Sequence, residues 1–573
     1  MEETRTKTRV ERKKKKVWPW AVAAVAVVAV AVVACVLLRP RPLVTAPGYI
    51  AADLETAPVY NEEGEVHGEL IRGSAVMYVV EEADEERPGM IRLVMSAPAD
   101  AEEVFEDTAT FAWINELNLT DDPAKVVQTQ TMYVRTAVNL LDQTGETAGY
   151  LADKGQELTV TGFEQLDEQG VVGRYKVSMT VDGTTHEGYV RAGYLCRTQE
   201  EALKQYDEQT YQLHVERGDS WGGGDAAGLD YFPREKAKFT ENVMPTEVKS
   251  LYLNNEFVAN VDTYLDIANN CGINAFVIDI QDGGAIGYAS PTMQKYSPSA
   301  YESAYNTREE YQAAVKKIKD AGYYIIGRIT AFNDPNLAID HPECLIANPD
   351  GSPKRIVGMY WPSVYNRWVW QYKVDLALEA VELMGFNEIQ FDYVRFPDGT
   401  WDYEDWEIDY RNTYGESKAQ AVQRFLMYAA DRIHDAGAYL SADVFGECAE
   451  DYVCAYGQYW PAISNVADVI SAMPYPDHYA PYGDYLPWEH PYDTLYAFGA
   501  KAAQRQTETA SPAVVRTWIQ AYSAIREPYT YYGPNEVGAQ IRALRDTGNT
   551  GGYMTWHGAA DIGKYYALMP AFD

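Results

Sequence analysis

The stretch that decides the fold of this chain is EIQFDYVRFPDGTW, residues 388–401. Ile389 and Phe391 alternate with polar neighbours, as apolar residues do in a half-buried β-strand. Asp392 ends this alternation, and a Pro-Asp-Gly turn follows a few residues later. A carboxylate at the end of a strand either caps the next loop or takes part in chemistry. The surrounding sequence must decide between these two uses.

The whole segment 246–573 repeats the same strand pattern. Strand-like runs alternate with amphipathic segments that end on Gly, a residue suited to the end of a helix. The eight runs are VKSLYLNN, INAFVIDI, YYIIGRIT, EIQFDYVRF, AYLSADVF, DVISAMPY, AVVRTWIQAY and GGYMTWH. Eight strands alternating with helices predict an α/β fold of the closed (β/α)8 TIM-barrel type. An open, doubly wound sheet is the rival, but no phosphate-binding glycine loop accompanies these strands.

The loops that follow the strands are long and aromatic, whereas the turns that precede them are minimal. The long loops span residues 333–365, 398–416 and 475–492. Active sites of such barrels lie in these loops, at the carboxyl ends of the strands. Aromatic rings there either fill the loops or stack on sugar rings, and their concentration on one face favours a carbohydrate cleft. The residues are Tyr360, Trp361, Trp401, Tyr403, Trp406, Tyr475, Tyr479, Tyr482 and Trp488.

Acidic residues recur at the predicted strand ends. Asp279 and Asp282 follow the second strand, Asp392 the fourth, and Asp443 and Glu447 lie on and after the fifth. Cleavage of a glycosidic bond needs two carboxyl groups that flank the bond. Neighbouring strand ends meet at one mouth of a barrel, so we predict that Asp392, Asp443 and Glu447 are catalytic.

Each carboxylate also has a structural alternative. Asp279 and Asp282 are suited to cap the turn in DIQDGG, and Asp443 to point inward and neutralise Arg395. Arg328 and Arg395 are available to hold one carboxylate ionised, since a nearby cation lowers its pKa. The predicted substrate-binding set comprises Asp279, Asp282, Arg328, Tyr393, Arg395, Trp401, Tyr475, His478, Trp518, Gln520 and Trp556.

The start of the chain predicts a membrane anchor. Residues 1–16 hold eight Lys or Arg, and residues 17–38 are uncharged and long enough to span a bilayer. The basic flank predicts a cytoplasmic N-terminus, with everything after Arg39 outside the cell. The alternative is a lipoprotein cleaved before Cys35, because VVAC resembles such a site. Both alternatives place the protein on the outer face of a membrane.

Charge and composition exclude several function classes. The chain carries 48 Lys and Arg against 84 Asp and Glu, a formal net charge of −36, and residues 42–573 alone carry 38 Lys and Arg against 81 Asp and Glu. So acidic a body is predicted not to bind nucleic acid. The eight histidines form no HExxH motif and the six cysteines no metal-ligand spacing, so we expect neither a metal nor a cofactor. Cys448 and Cys454 are candidates to bridge a loop.

Two small modules precede the barrel. Residues 47–122 and 128–198 read as short strands separated by Gly, Asp and Asn turns. MYVRTAVNLLDQTGETAGYLADKGQELTVTGFE, in the second, resembles the bacterial SH3-like domain, and the first resembles a degenerate copy. The resemblance implies either binding of cell-wall material or a plain spacer role. Residues 199–245 are predicted to be a connector, flexible by composition in GDSWGGGDAAGLD.

The barrel segment also carries a family resemblance. VIDIQDGGAIGY, GRITAFNDPNLA, YNRWVWQYKVDLALEAVELMGFNEIQFDYVRFP, SADVFG, DVISAMPYPDHY and GGYMTWH together resemble the glycosyl hydrolase domain family of bacterial envelope proteins. That family is distantly similar to alpha-amylase-type barrels. The resemblance implies that Asp392 is the nucleophile and that the acid comes from strand five, as Asp443 or Glu447. The loop QDGGAIG and the segment WPSVYNR depart from the family pattern, which bears on substrate and catalysis.

These observations predict a membrane-anchored extracellular glycoside hydrolase that acts on a cell-wall or extracellular polysaccharide. The alternative is a non-catalytic glycan-binding or wall-tethering protein built on the same barrel.

Overall fold

The structure is a computed structural model that describes residues 42–51, 56–80, 87–96, 104–122, 130–142, 147–166, 172–181, 183–204 and 214–572. The chain divides into two compact units, residues 1–130 with 161–175, and residues 131–160 with 176–573. The predicted basic segment 1–16, the anchor 17–38 and Cys35 lie outside the described residues, so the anchor stays a prediction. Within the described ranges, no helix is long and apolar enough to cross a membrane.

The two predicted β modules are two sheets of seven strands. The first contains β1 Thr45–Ile50, β2 Thr56–Tyr60, β3 Val66–Ile71, β4 Ala75–Val79, β5 Met90–Ser96, β6 Thr110–Asn115 and β7 Leu119–Thr120. The second contains β8 Gln130–Val134, β9 Val138–Leu141, β10 Thr147–Ala152, β11 Glu157–Leu166, β12 Val172–Val181, β13 Thr184–Arg191 and β14 Leu195–Cys196.

The two sheets share one strand order. It is β3-β2-β6-β5-β4-β1-β7 in the first and β10-β9-β13-β12-β11-β8-β14 in the second, the same order shifted by seven strands. In each sheet a 3-10 helix of three residues precedes the last strand. This common topology is what a duplicated module would produce. The SH3-like character of the modules stays a prediction.

The C-terminal region is a nearly closed parallel β-barrel, which confirms the predicted α/β barrel in its main features. Its strands are β15 Val248–Leu253, β16 Ala275–Asp282, β19 Tyr324–Thr330, β22 Glu388–Asp392, β23 Tyr439–Phe445, β24 Val469–Met473, β25 Val514–Val515, β26 Thr517–Gln520 and β27 Gly552–Trp556. Seven of the eight predicted runs each correspond to one strand, and the seventh run along the chain is interrupted at Arg516 into β25 and β26. Parallel pairing of β15 with β27 joins the first strand to the last.

Shorter strands lie in the loops around the barrel. β17 Ala285–Tyr288 pairs with β16 and with β18 Ala304–Asn306. β20 Arg355–Ile356 and β21 Met359–Tyr360 form a separate hairpin.

Helices alternate with the barrel strands. The helices are α1 Gln199–Leu203, α2 Val261–Asn269, α3 Pro291–Tyr296, α4 Pro298–Glu302, α5 Arg308–Asp320, α6 Leu337–Asp340, α7 Arg367–Met384, α8 Lys418–Asp435, α9 Trp460–Ser464, α10 Pro491–Thr507, α11 Pro534–Asp546 and α12 Ile562–Phe572. α5 shows why they form, since Tyr311, Ala314, Val315 and Ile318 recur at helical spacing and are its buried face. Glycines end several of them, and Gly385 adopts the left-handed conformation (φ 72°) directly after α7.

The connector before the barrel contacts the barrel closely, contrary to the flexibility predicted from its composition. The backbone N–H of Gly223 donates to the carbonyl of Val453 at 2.6 Å, and that of Ala455 donates to the carbonyl of Trp221 at 2.9 Å. A Cβ added to Gly223 would lie 2.1 Å from the Cys454 carbonyl oxygen. The glycines therefore permit close backbone approach, which composition alone does not distinguish from flexibility.

The suggested bridge between Cys448 and Cys454 is wrong. Both cysteines are free and buried. The short spacing that suggested a bridge reflects a loop that packs both thiols into the protein interior.

Candidate active site

Arg328, in the middle of β19, is the centre of the site. Its side chain is 2% exposed, and its Nη1 donates to Asp279 at 2.7 Å while its Nη2 donates to Asp392 at 2.6 Å. Asp282 lies 3.3 Å from Nη1, and Asp443 lies 3.9 Å from Nε. The strands β16, β19, β22 and β23 are consecutive neighbours in the barrel, which is why their carboxylates converge on one guanidinium.

Asp392 reaches this cluster because β22 ends there. All five residues of the strand are buried. The next residue, Tyr393, adopts the left-handed conformation (φ 51°), and its backbone N–H donates to Asp392 Oδ1 at 2.6 Å. Bulky residues rarely adopt this conformation, so it marks a backbone held by its surroundings. Asp392 therefore has one oxygen on Arg328 and the other on a backbone donor.

Two members of the cluster are wholly buried. Burial raises the pKa of Asp279 to about 7, although Arg328 and the hydroxyl of Tyr252, which donates to Asp279, oppose this rise. Burial also raises the pKa of Asp443 well above its usual value, and the nearby charge of Asp392 adds to the rise. Trp518 Nε1 donates to Asp443 Oδ1 at 2.9 Å.

Glu447 lies in a short 3-10 helix, Gly446–Ala449, directly after β23. The hydroxyl of Tyr452 donates to its Oε1 at 2.7 Å, and the hydroxyl of Tyr456 donates to its Oε2. Burial raises the pKa of Glu447, even though the hydrogen bond from Tyr452 and the charge of Arg217 lower it. A raised pKa favours the protonated form of this carboxyl, which is the form that a general acid needs.

A cavity of about 700 Å³ opens at the carboxyl ends of the strands. Its size fits a few sugar units, and its walls combine aromatic rings with charged groups. The lining residues are Arg217, Trp221, Asp282, Arg328, Asp392, Tyr393, Arg395, Phe445, Gly446, Glu447, Glu450, Tyr456, Met473, Tyr475, His478, Tyr479, Ala480, Trp518 and Trp556.

The structure brings most of the predicted site residues together. Ten of them line the cavity: Asp282, Arg328, Asp392, Tyr393, Arg395, Glu447, Tyr475, His478, Trp518 and Trp556. Asp279 and Asp443 lie behind the wall, against Arg328. Gln520 is buried, accepts the backbone N–H of Asp477 at 3.2 Å, and does not line the cavity.

Trp401 and Trp406 lie on the same loop after β22 but differ in their surroundings. Trp401 does not itself line the cavity, but it packs on Trp221 with ring centroids 4.8 Å apart. Trp406 is 74% exposed and lies outside the cavity wall.

The suggested pairing of Asp443 with Arg395 does not occur. Arg395 donates to the backbone carbonyl of Phe396 at 3.0 Å and to Asp398 at 3.3–3.4 Å, and it packs over the ring of Phe445. The turn-capping role suggested for Asp279 is not the one its carboxylate takes, because the carboxylate pairs with Arg328.

Sequence reasoning missed Arg217 and Trp221, which the connector contributes to the cavity wall. Arg217 Nη1 donates to the Tyr452 hydroxyl at 2.6 Å and lies 3.9 Å from Glu447 Oε1. The sequence feature that could have revealed them is a Trp followed by three glycines. Such a run is compatible with a close approach between two backbone segments and also with a flexible linker. Across the described ranges, no group of His, Cys, Asp and Glu is arranged to hold a metal ion.

A parallel barrel with several carboxylates at an aromatic mouth has the architecture and the side chains that glycoside hydrolases use. The chain belongs to the family described as "Putative glycosyl hydrolase domain", whose model matches residues 250–561, more than half of the chain. No curated protein matches the sequence.

Several solved structures are similar to the chain. A hypothetical protein from Ruminiclostridium thermocellum is 32% identical, with 34% of this chain and 97% of that one covered and a TM-score of 0.29. The PgaB (BpsB) glycoside hydrolase domain from Bordetella bronchiseptica is 12% identical, with 56% and 99% covered and a TM-score of 0.39. The chitobiase from Flavobacterium johnsoniae is 14% identical, with 57% and 48% covered and a TM-score of 0.39.

Proposed function

We propose that this protein is a membrane-anchored extracellular glycoside hydrolase that cleaves a cell-wall or extracellular polysaccharide with retention of configuration. The observation that carries the proposal is that one cavity is lined by two carboxyl groups with different surroundings, Asp392 and Glu447. Asp392 is bound to Arg328 at 2.6 Å, whereas Glu447 has a pKa raised by burial. Two carboxyl groups whose surroundings differ in this way are suited to opposite roles.

In the first step Asp392 attacks the anomeric carbon while Glu447 gives its proton to the oxygen of the departing sugar. The glycosidic C–O bond breaks and a glycosyl ester on Asp392 forms. In the second step Glu447, now ionised, takes a proton from water, and the oxygen of this water displaces Asp392 from the anomeric carbon. The carboxylate of Asp392 and the protonated Glu447 are both restored.

Arg328 holds Asp392 in place for this attack. Three carboxylates, Asp279, Asp282 and Asp443, also face the guanidinium, so its positive charge is shared and does not bind Asp392 alone. Trp556 and Tyr252 pack over Arg328, with ring centroids 5.3 and 5.9 Å from its Cζ, and keep it in one position.

The experiment is a screen of the full-length protein against purified polysaccharides, with both retained binding and released reducing ends measured. Release of reducing ends supports the proposal, and the configuration of the first product, followed by NMR, tests retention. Binding to a glycan with no release from any substrate would instead favour the non-catalytic glycan-binding protein.

The acid is tested with a pair of variants. Glu447→Gln should lose most of its kcat/KM on the polysaccharide but much less of its kcat/KM on a nitrophenyl glycoside, because kcat/KM reports the first step and a nitrophenolate leaves without a proton. Glu450→Gln is the matched control, because Glu450 also lines the cavity but pairs with Lys501. Equal losses in the two variants would remove Glu447 from the role of the acid.

A further inference from the structure

The connector supplies a side chain to the cavity that the barrel itself does not contain. Trp221 lies outside the family match, which begins at residue 250, yet it lines the cavity together with Glu447. Its ring packs on Trp401 at 4.8 Å between centroids with an interplanar angle of 33°. Trp401 in turn meets Tyr456, another lining residue, at 6.2 Å in an edge-to-face contact.

The backbone around Trp221 is fixed by several independent contacts. Asp219 Oδ1 accepts the backbone N–H of Trp221 at 3.0 Å and the Nε of Arg217 at 2.7 Å. The carbonyl of Trp221 accepts the N–H of Ala455 at 2.9 Å, and Gly222 forms a bridge with Cys454. A Cβ on Gly222 would lie 1.9 Å from the carbonyl oxygen of Arg217, so the turn requires glycine at this position.

Despite this fixed backbone, the indole of Trp221 remains 42% exposed. A large apolar ring that is held rigidly and left open at a cavity costs free energy, because its surface stays in contact with water. Trp401 covers part of the Trp221 ring, and Trp221 and Glu447 both line the cavity. Pyranose rings carry apolar C–H faces that match such a surface.

We propose that Trp221, supported by Trp401, forms a subsite that binds one pyranose ring of the glycan beside Glu447. This inference rests on the proposed function for its substrate class. It adds that segment 214–224 completes the site, so the family-matched barrel alone lacks this subsite.

The test measures binding, separately from turnover, by calorimetry on the full-length protein carrying Asp392→Asn. The probes are chitohexaose, cellohexaose, maltohexaose and xylohexaose, each at up to millimolar concentration. Adding Trp221→Ala should raise the Kd of the bound hexasaccharide about five- to tenfold, as loss of one aromatic contact does. Trp221→Phe should recover part of the loss. Trp406→Ala is the matched control and should leave the Kd unchanged, because Trp406 is exposed outside the cavity.

An unchanged Kd in Trp221→Ala overturns the subsite, as does the absence of binding of all four probes to the protein without the Trp221 change. Equal melting temperatures of the Trp221 and Trp406 variants would show that a higher Kd is not caused by a folding defect. If the Kd instead rises in both variants together with a loss of stability, the result counts against the subsite. Turnover that persists in Asp392→Asn, with weaker binding in Trp221→Ala, would instead sink the catalytic assignment and leave the subsite standing.

Discussion

Two of the arginines that the barrel buries against carboxylates, Arg328 and Arg516, share one strand, because β22 contributes a carboxylate to each. Glu388 begins the strand and binds Arg516 through Nη1 at 2.7 and 3.0 Å, with the hydroxyl of Tyr324 donating to the same carboxylate at 2.9 Å. Asp392 ends the strand and binds Arg328 at 2.6 Å. One cluster therefore lies at the amino end of the barrel strands and the other at the mouth.

The two clusters differ in their balance of charge. At the amino end one arginine meets one glutamate, and both side chains are 0% exposed. At the mouth one arginine meets four carboxylates beside a cavity of about 700 Å³. Burial of carboxylates is costly in free energy, and it raises the pKa values of Asp279 and Asp443 at the mouth. We therefore assign a structural role to the balanced pair and propose the unbalanced cluster as the site of chemistry.

The largest expected effect is a loss of activity when the cluster at the mouth is changed. Asp392→Asn keeps the shape of the side chain but removes the attacking charge, so turnover should fall by roughly 10³-fold or more. The melting temperature should change little, because Arg328 keeps three other carboxylates nearby. Polysaccharide turnover and thermal unfolding of the one variant test this. A destabilised protein with normal activity per folded molecule would contradict the catalytic role.

The corresponding carboxylate-to-amide substitution at the start of β22 should lower the stability of the protein. Glu388→Gln leaves Arg516 buried without a counter-charge, so the free energy of unfolding should fall by about 3–5 kcal/mol. Activity per folded molecule should stay the same. Urea unfolding, followed by assays normalised to the folded fraction, checks both expectations. Loss of activity without loss of stability would show that the amino-end cluster is not merely structural.

How far the sequence predicts this arrangement depends on whether the signal is local. The strand-like runs predicted all eight strand segments of the barrel, because strand alternation and helix-ending glycines can be recognised within short stretches of sequence. Asp392 and Arg328 were predicted for the same reason, since each lies on a strand whose end can be recognised from the sequence. The convergence of their strands at one mouth follows from the barrel itself.

The parts that the sequence did not predict depend on contacts between distant segments. Nothing near Asp443 in the sequence shows that it belongs with Arg328 and Trp518 and not with Arg395. Trp221 lies more than two hundred residues from Ala455, whose N–H it accepts. Glu388 and Arg516 are likewise joined only by the closure of the barrel.

The pH dependence of stability should show the burial of Asp279 at the mouth. Burial raises the pKa of Asp279 to about 7 from an ordinary value of 3.8. An acid whose pKa is higher in the folded state adds stability below its unfolded pKa, and this stability is lost as pH rises through the folded pKa. Asp279→Asn removes the titration. The stability of the unaltered protein relative to this variant should therefore fall between about pH 4 and pH 7, by at most about 4 kcal/mol. Parallel curves from urea unfolding across that range would contradict the shift.

The smallest effect compares two tyrosines that each donate to a glutamate. Tyr452 donates to Glu447 at the mouth, and Tyr324 donates to Glu388 at the amino end. The bond from Tyr452 stabilises the ionised form of Glu447, so Tyr452→Phe should raise the pKa of Glu447 further. Glu447 must be protonated to act as the acid, and the alkaline limb of the kcat/KM profile should therefore move to higher pH, by about one unit or less.

Tyr324→Phe is the matched change in the balanced cluster. It should lower the free energy of unfolding by about 1 kcal/mol, the usual contribution of one buried hydrogen bond, and leave the pH profile of kcat/KM where it was. Profiles of both variants, recorded on the same substrate, are the measurement. An alkaline limb that moves equally in the two variants would show that it does not report Glu447. A limb that moves only in Tyr452→Phe assigns the titrating acid to the mouth of the barrel, because each substitution removes a hydroxyl that donates to a glutamate and only Tyr452 donates to Glu447.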